Sequence, residues 1–344
     1  MEEKRILLGM SGGIDSTYAA TELRRRGYTV EGAFLKMTED SDVASAVRAA
    51  EALGVPLTVV DCTDRFRDIV IANFLSEYAA ARTPNPCIVC NRFVKIAALC
   101  ETAKRLGIST VATGHYADIG FDEEMGRYYI RKALDPRKDQ SYMLWRLTQE
   151  QLSMVTFPLN ALLKSDIKAR AREMELPNAD AAESQEICFI PSDDYVSYIE
   201  ERLGAFPRGS FKDEDGKTVG THKGIIHYTI GQRKGLGLSL GKPAFVTAID
   251  PMANTVSVTV DERKIFTDRL VCRELNFMAL APGDYEELPV EGKVRYAAKP
   301  ERARVRIQGD RAEVFFERPV RAVTPGQSVV FYDGDKILFG GMIG

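Results

Sequence analysis

Three cysteines in this sequence have positions that suit sulfur or metal chemistry. Cys87 and Cys90 form a Cys-x-x-Cys pair directly after a Pro-rich run at residues 83–86, and Cys188 follows far along the chain. A thiol at the start of a helix has its thiolate stabilised, and cysteine reactivity follows thiolate character. A closed structural zinc site needs four ligands, but the chain has no second Cys pair and only three histidines. We therefore interpret the three thiols as reactive groups, with simple packing as the alternative.

A glycine-rich loop near the N-terminus is the second feature with chemical potential. Its residues are Gly9, Met10, Ser11, Gly12, Gly13, Ile14, Asp15 and Ser16. Glycines let backbone N–H groups approach a phosphate closely, and the start of the following helix adds partial positive charge. The hydroxyls of Ser11 and Ser16 are further donors, and Asp15 is a candidate either to hold Mg²⁺ or to cap the helix.

The loop lacks the lysine of a nucleoside triphosphatase loop and the Gly-x-Gly-x-x-Gly of a dinucleotide-binding loop. A loop of amides and hydroxyls without a cation suits pyrophosphate as a leaving group. We therefore predict adenylation of a substrate rather than γ-phosphoryl transfer. The alternative is a plain strand-to-helix turn in which Asp15 and Ser16 cap the helix. The pattern Ser-Gly-Gly-x-Asp-Ser resembles the signature of the pyrophosphate-loop ATPases, which include amidotransferase synthetases, tRNA lysidine synthetase and tRNA thiolases.

The elements that must position this loop alternate between strand and helix patterns. Candidate strands span residues 5–9, 28–36, 56–61 and 109–114, and candidate helices span residues 16–26, 41–53, 64–81 and 91–106. Such alternation is typical of a doubly wound parallel sheet covered by helices on both faces. The loop would then follow the first strand, where ligands bind in such sheets.

The remainder of the chain changes character twice. After Gly204, Gly-rich turns separate short β-like runs, and beyond Leu270 a period of two dominates. The 344 residues also exceed what one hydrophobic core usually organises. We predict an α/β plus β protein with a catalytic domain at residues 1–203, a small central β domain at 204–268 and a C-terminal β-barrel at 269–344.

Charge and composition limit the function classes. The net charge of −3 argues against a nucleic-acid partner for the chain as a whole. Locally, residues 206–245 carry seven Lys/Arg against three Asp/Glu, and residues 291–321 carry nine against five, so both windows suit a phosphate backbone. Six cysteines are too sparse for a disulfide scaffold, and no apolar run has the length of a membrane span or signal peptide. We predict a soluble cytoplasmic protein with no membrane partner.

Several ordered stretches together resemble the tRNA-specific 2-thiouridylases, which thiolate the wobble uridine. They are residues 9–16, 83–91, 112–116, 138–142, 184–190 and 228–237, so the resemblance covers nearly the whole chain. It implies an adenine nucleotide alpha hydrolase-like catalytic domain that binds ATP and Mg²⁺ through Gly9 to Ser16, with Leu35 and Gly114 near the adenosine.

The resemblance also implies a reaction and its partners. ATP adenylates the uridine C2 oxygen, a persulfide on Cys188 supplies sulfur, and Cys90 resolves it by forming a disulfide with Cys188. The central domain contacts tRNA, and the sulfur donor is a cysteine desulfurase, a sulfur-relay protein or hydrosulfide. Residues that match the tRNA contacts of the family are Asn85, Pro86 and Cys87 at the target base, and His115, Lys138, Asp139, Gln140, Arg295, Tyr296 and Gln327 elsewhere.

The sequence departs from the family pattern at Cys87, where an Asp usually stands. The carboxylate proposed for proton handling is then missing, and Cys87, Cys90 and Cys188 become available as ligands of a [4Fe–4S] cluster with one iron open to hydrosulfide. We keep the persulfide and the cluster forms as two hypotheses. Rival functions are an amide-forming enzyme of the same superfamily, and a non-catalytic RNA-binding or iron–sulfur protein with a vestigial loop.

Overall fold

The computed structural model describes residues 4–179, 187–190 and 194–344. In its N-terminal part, five parallel strands form one sheet in the order β3-β2-β1-β4-β7. The strands are β1 (Arg5–Gly9), β2 (Thr29–Lys36), β3 (Leu57–Asp61), β4 (Val111–Ala112) and β7 (Val155–Thr156). In β1, Ile6, Leu7 and Leu8 are fully buried, as expected for a strand covered on both faces. The chain runs from β1 to β2 and β3 on one side, while β4 lies on the other, so a crevice opens after Gly9 at the point where such sheets commonly bind ligands.

Helices cover this sheet and place the Cys-x-x-Cys pair. They are α1 (Ile14–Arg25), α2 (Val43–Leu53), α3 (Thr63–Phe66), α4 (Ala72–Ala79), α5 (Pro86–Cys90), α6 (Ile96–Arg105), α7 (Gln149–Met154), α8 (Lys164–Glu173) and α9 (Tyr195–Leu203). A π-helical turn at Arg67–Ile71 joins α3 to α4, and another at Asn91–Lys95 joins α5 to α6. The helix that we expected to start at residue 91 therefore starts at Pro86, because proline is well suited to the first helical position.

The predicted doubly wound sheet is confirmed, with two differences in its strands. The strand expected at residues 109–114 is only the two-residue β4, and the pattern gave no sign of β7. A hairpin of β5 (Asp118–Asp122) and β6 (Arg127–Arg131) was also missed. The hairpin belongs to the barrel sheet, because Arg131 of β6 pairs with Lys336.

The C-terminal part is a β-barrel, as predicted, and the structure shows that it has six strands and is closed. Its strands are β12 (Phe266–Phe277), β13 (Tyr285–Lys293), β14 (Glu301–Gln308), β15 (Arg311–Arg321), β16 (Ser328–Asp333) and β17 (Lys336–Ile343), and pairing of β12 with β17 closes it. In β14 the side chains of Ala303, Val305 and Ile307 are buried, whereas those between them are exposed. Arg304 and Arg306 pair with Glu287 and Glu286 on this wet face.

The predicted small central β domain contains the four-stranded sheet β10-β11-β8-β9. Its strands are β8 (Gly209–Lys212), β9 (Thr218–His222), β10 (Phe245–Asp250) and β11 (Thr255–Thr259). A turn of this domain lies against the barrel, since a Cβ on Gly231 would stand 2.4 Å from the Cβ of Ala322. The domain limits that we gave from the sequence stay a prediction. Among the described residues, the helices are too short or too polar to cross a membrane.

Trp145 joins the N-terminal part to the barrel. Its ring is fully buried, its Nε1 donates to Ser328 Oγ at 3.0 Å, and a Cβ on Gly340 would lie 2.5 Å from it. We expect Trp145→Ala to lower the free energy of unfolding by about 3–5 kcal/mol, because it leaves a large cavity at the junction. Thermal unfolding followed by circular dichroism measures the loss. Phe121→Ala is the control, because Phe121 is 48% exposed, and an equal loss in both variants would contradict the prediction.

Candidate active site

A cavity of about 720 Å³ opens where β1 ends. Its walls are the glycine-rich loop, the start of α5 and the segment that carries Cys188. His115, Lys138, Gln140 and Tyr296 also line it. The fold therefore brings three thiols and a phosphate-type loop, which are far apart in sequence, to one chemical site.

The glycine-rich loop is held in one shape by its own side chains and by α2. Gly12 has a φ of +81°, and a Cβ there would stand 2.6 Å from the carbonyl carbon of Ser45, so only glycine fits. The Ser16 hydroxyl donates to the Gly13 carbonyl at 3.0 Å and accepts from the Ser11 N–H at 3.2 Å. Gly13 is the N-cap of α1 and makes no side-chain cap. The first amides of α1 are thus suited to an anion.

Asp15 does not cap the helix, which corrects the alternative that we drew from the sequence. Its carboxylate accepts from the Tyr116 hydroxyl at 2.6 Å and from the Lys164 ammonium at 2.5 Å. Mg²⁺ fits this site chemically, because it prefers one or two carboxylates together with phosphate oxygens. The sequence analysis did not assign Tyr116 or Lys164 to the site. They lie 101 and 149 positions after Asp15, and no sequence pattern connects residues so far apart.

Of the two residues expected near the adenosine, the structure brings one to the loop. A Cβ on Gly114 would lie 3.0 Å from the Ser16 nitrogen, so the turn after β4 packs directly against the start of α1. Leu35, in β2, is half-buried in the core. Met37, the first residue after β2, lines the cavity instead. Their contacts with a nucleotide stay a prediction.

Cys87 and Cys90 occupy one helical turn but differ in environment. Cys87 is exposed, whereas Cys90 is buried. Burial raises the pKa of the Cys90 thiol to about 11, which outweighs the opposing effects of Lys95. The expectation that the helix start stabilises a thiolate is therefore wrong for Cys90, because the desolvation of the charged form dominates.

Cys188 is exposed on the segment 187–190, which an aromatic contact fixes in place. The Phe189 ring lies 5.5 Å from that of Phe66 and 5.3 Å from that of Phe74, edge-on in both cases. Although Cys188 is exposed, the atoms packed around its sulfur partly desolvate the thiolate and raise the pKa of the thiol, and neighbouring Cys87 adds to the effect. The preceding part of the motif, Ser184 to Glu186, lies outside the described residues.

Lys95 is a site residue that the sequence analysis missed. Its charge acts on Cys90 and Cys188, and it also lines the cavity. A regular α-helix would place residues five apart on different sides. The π-helical turn at Asn91–Lys95 changes this, because its hydrogen bonds span five residues. The sequence carries no signal for such a turn.

The cysteines as placed do not form the ligand set of an iron–sulfur cluster. Among the described residues, no three His, Cys, Asp or Glu side chains are grouped so that they could hold a metal ion. Cys90 is buried while the other two thiols are exposed. A cluster would require the three thiols to be drawn together first.

The polar residues expected to contact tRNA fall into two groups. Lys138, Gln140, His115 and Tyr296 line the cavity, beside Pro86 and Cys87. The Nδ1 atom of His115 shares a hydrogen bond of 2.7 Å with Thr113 Oγ1. Burial lowers the pKa of His115 well below its ordinary value, and the charge of Lys95 adds to this shift. The ring is thus neutral at neutral pH and suited to hydrogen bonding.

The second group binds within the protein. Asp139 accepts from the N–H groups of Ala133 and Ser141 at 3.0 and 3.2 Å. Arg295 donates to the Ile230 carbonyl and to Thr324 Oγ1, and burial lowers its pKa. Gln327 donates through Nε2 to the carbonyls of Thr83 and Pro84, just before Asn85, the N-cap of α5. These side chains shape the surface around the cavity, and their contacts with tRNA stay a prediction.

Three family models match successive parts of the chain. A tRNA methyl transferase HUP domain matches residues 4–192, a tRNA methyl transferase PRC-barrel domain matches residues 196–260, and an aminomethyltransferase beta-barrel domain matches residues 267–343.

Full-length relatives carry one name. The tRNA-specific 2-thiouridylase MnmA 1 of Caldanaerobacter subterraneus subsp. tengcongensis is 44% identical over 356 residues, covering 98% of this chain and 97% of the relative. The tRNA-specific 2-thiouridylase MnmA of Clostridium acetobutylicum is 44% identical over 358 residues and covers 99% of both. Among solved structures, a 4-thiouridine synthetase–RNA complex with bound ATP covers 58% of this chain and 50% of its own, with 20% identity and a TM-score of 0.37.

Proposed function

The chain belongs to the tRNA-specific 2-thiouridylase family, and on this premise we propose that it uses ATP to replace the C2 oxygen of the wobble uridine of tRNA with sulfur. The observation that carries the proposal is the single cavity in which the glycine-rich loop meets Cys87, Cys90 and Cys188. Amide formation or methyl transfer would have no use for three thiols beside such a loop.

The first step is activation of the base. The loop from Gly9 to Ser16 and the amides at the start of α1 hold the phosphates of ATP. The uridine C2 oxygen attacks the α-phosphorus, a new O–P bond forms, and pyrophosphate leaves with the electron pair of the broken bond. In the next step the bond between C2 and this oxygen breaks, and the oxygen leaves as part of the phosphate of AMP. Mg²⁺, held with the help of Asp15, would neutralise phosphate charge.

The second step is sulfur transfer. The outer sulfur of a persulfide on Cys188 attacks C2 and AMP leaves. The Cys90 thiolate then attacks the inner sulfur, the S–S bond breaks, and its electron pair stays on the new thiocarbonyl sulfur. A Cys90–Cys188 disulfide results, which an external thiol must reduce before the next cycle. Lys95 favours the thiolate of both cysteines, against the partial desolvation of their sulfur atoms.

Two partners follow from this chemistry. The tRNA is proposed to enter over Lys138, Gln140 and Tyr296, whose ring is 39% exposed and lies 5.4 Å from the Lys293 ammonium. An exposed aromatic ring backed by a cation suits stacking of an unpaired base. A cysteine desulfurase or a relay protein would transfer persulfide-level sulfur to exposed Cys188, whereas hydrosulfide would be the sulfur source only in the cluster form.

The proposal is tested with purified protein, an unmodified tRNA transcript, ATP and a sulfur source. The sulfur source is sulfide in one assay, and a cysteine desulfurase together with cysteine in the other. Nucleoside mass spectrometry should find 2-thiouridine at the wobble position, in step with pyrophosphate release. Pyrophosphate release without thiolation would indicate a different adenylated substrate. Neither product would indicate a non-catalytic protein.

Gln327 should affect tRNA use without affecting ATP binding. Its amide holds the Thr83 carbonyl at 2.8 Å, and the Thr83 N–H donates to Pro325 at 2.9 Å, so the barrel clamps the turn before Asn85. We expect Gln327→Ala to raise the KM for tRNA roughly tenfold, since hydrogen bonds of this kind contribute about 1–1.5 kcal/mol. Steady-state thiolation kinetics measure this, with exposed Gln308→Ala as the control. An unchanged KM would show that the clamp is dispensable.

A further inference from the structure

One thiol of the cavity has no part in the persulfide steps. Cys87 is exposed and lines the cavity beside Cys90 and Cys188, which are the two cysteines that those steps use. Among the described residues, these thiols are not grouped so that they could hold a metal ion. An exposed thiol at the first position of a Cys-x-x-Cys pair is, however, a common arrangement for thiol–disulfide exchange. We therefore looked for a role of Cys87 in the chemistry of the disulfide.

The disulfide that ends the reaction has one accessible and one inaccessible sulfur. Cys90 is 8% exposed and belongs to an apolar cluster with Phe66, Val94 and Phe189, so a thiol from solution cannot reach it. Cys188 is exposed. A reductant that attacks Cys188, however, becomes bonded to the residue that must accept the next sulfur. Reduction through a third thiol of the protein avoids this block.

Cys87 is placed to reach the buried sulfur from within the protein. It lies three positions before Cys90 in α5. Residues at this spacing on a helix have Cβ atoms about 5–6 Å apart, and a disulfide needs about 3.5–4.5 Å. Few hydrogen bonds oppose the adjustment, because Pro86 has no N–H and the side chain of Asn85 does not cap the helix. A bond between the two sulfurs therefore needs only a small movement of the first turn.

The three sulfurs also lie within electrostatic reach of one another. Burial has the largest effect on the pKa of the Cys90 thiol, and Cys188 and Cys87 both raise it further, against the charge of Lys95. Exchange requires only two of the three sulfurs to be bonded at a time, whereas a cluster requires all three thiolates at once. A placement that does not suit a cluster is therefore compatible with exchange.

We propose that Cys87 regenerates the enzyme by thiol–disulfide exchange with the disulfide of Cys90 and Cys188. The Cys87 thiol loses its proton to solvent and its sulfur attacks the sulfur of Cys90. A bond forms between these two atoms, and the electron pair of the broken S–S bond passes to Cys188, which leaves as a thiolate. Cys188 is then free to accept the next sulfur.

A dithiol reductant completes the cycle at the exposed end of the new disulfide. One of its thiolates attacks the sulfur of Cys87, and Cys90 leaves as a thiolate and takes up a proton. The second thiol of the reductant then displaces Cys87, which also takes up a proton. The reductant supplies two electrons and becomes a disulfide. This inference rests on the proposed function in its persulfide form, because only that form ends in a disulfide.

The first test identifies the disulfide that remains after one turnover. Full-length protein is loaded with persulfide by a cysteine desulfurase and cysteine, desalted, and mixed with ATP and excess tRNA without reductant. Acid stops the reaction, N-ethylmaleimide blocks the free thiols, and peptide mass spectrometry maps the disulfides. We expect a disulfide between Cys87 and Cys90 in the wild type, and one between Cys90 and Cys188 in Cys87→Ser. A wild type that keeps the second disulfide, with Cys87 blocked by the reagent, would overturn the proposal.

The second test compares the first turnover with repeated turnover. With thioredoxin as the dithiol reductant, Cys87→Ser should lower the steady-state rate at least about tenfold, because a bimolecular attack replaces an intramolecular one. The 2-thiouridine formed in the first turnover should stay within a few-fold of the wild type, whereas damage to the fold would lower both quantities. Cys100→Ala is the control, because it removes a buried thiol away from the cavity lining. Equal steady-state rates for the wild type and Cys87→Ser would contradict the exchange.

Iron analysis separates exchange from a role of Cys87 as a metal ligand. The analysis uses anaerobically prepared wild type and Cys87→Ser. We expect the first turnover of the variant to be independent of its iron content. If the wild type holds iron and sulfide, and the variant loses both together with its first turnover, Cys87 is a cluster ligand and the proposal fails.

The outcome is separable from that of the proposed function. Oxidised glutathione added to the reduced protein tests the pairing of Cys87 with Cys90 without tRNA. If that disulfide forms but the wild type makes no 2-thiouridine, the thiolation assignment fails and the redox pairing stands. If 2-thiouridine is made repeatedly and only the disulfide of Cys90 with Cys188 is found, the role of Cys87 fails and the thiolation assignment stands.

Discussion

Replacing Cys188 or Cys90 with serine is expected to lower the rate of tRNA thiolation by at least about 10³-fold, because each supplies a sulfur atom that forms or breaks a covalent bond. Serine keeps the size of the side chain and removes its sulfur nucleophilicity. Neither residue belongs to the glycine-rich loop, so ATP should still bind and pyrophosphate should still be released in the first turnover. The two steps of the reaction would thereby be separated.

The measurement is a single-turnover assay that follows pyrophosphate and 2-thiouridine in the same samples. Cys100→Ala is the control, since Cys100 is buried in α6 and lies away from the cavity lining. Loss of pyrophosphate release together with thiolation would show that the thiols are needed for activation as well. Full thiolation by Cys188→Ser would remove the sulfur-transfer assignment.

Cys87→Ala in the same assay separates the persulfide from the cluster hypothesis. In the persulfide form, exposed Cys87 forms no bond to the transferred sulfur, and we expect activity within a few-fold of the wild type. In the cluster form it is a ligand, so its loss removes activity together with iron and visible absorbance in anaerobically prepared protein. Metal and sulfide analysis of the wild type is the companion measurement.

The fold could be predicted from the sequence where several residues repeat a strand or helix period and turn residues such as glycine mark where the element ends. Ile6, Leu7 and Leu8 followed by glycines predict a buried strand with a ligand loop; the structure has the buried strand, and the loop after it lines the cavity. The alternation in β14 similarly predicts a barrel wall with one wet face. Strand β7 has only two residues, too few to show a period, so its position in the sheet depends on neighbours that the sequence does not reveal.

The candidate site was predictable only where its chemistry is local. The loop and the Cys-x-x-Cys pair are short motifs, and the cavity contains both. Lys164 reaches Asp15 from a distant helix, and Lys95 depends on a π-helical turn, so neither contact has a sequence signature. The pKa of Cys90 likewise follows from burial, a property of the whole fold.

Gly12→Ala is expected to reduce kcat/KM for ATP by at least about a hundredfold, because a displacement of about 1 Å in a positioning group can cost that much. The added Cβ would stand 2.6 Å from the Ser45 carbonyl carbon and 2.7 Å from the Ala46 nitrogen. Both are backbone atoms at the start of α2, which cannot rotate away. The loop would have to move, and the amides that face the phosphates would move with it.

A positive φ alone does not account for this expectation, and Gly27→Ala is the control that shows it. Gly27 has a φ of +83°, close to the +81° of Gly12, but nothing lies within 4 Å of a Cβ built there. Gly27→Ala should therefore lose about 1–2 kcal/mol of stability through backbone strain alone, and Gly12→Ala should lose at least as much because the clash adds to the strain, as measured by thermal unfolding. Only Gly12→Ala should lose ATP binding in calorimetry. Gly12 lies in the phosphate loop and against α2, whereas Gly27 lies outside the loop with open space around it. Equal ATP affinity in both variants would mean that the packing of Gly12 on α2 does not set the shape of the phosphate site.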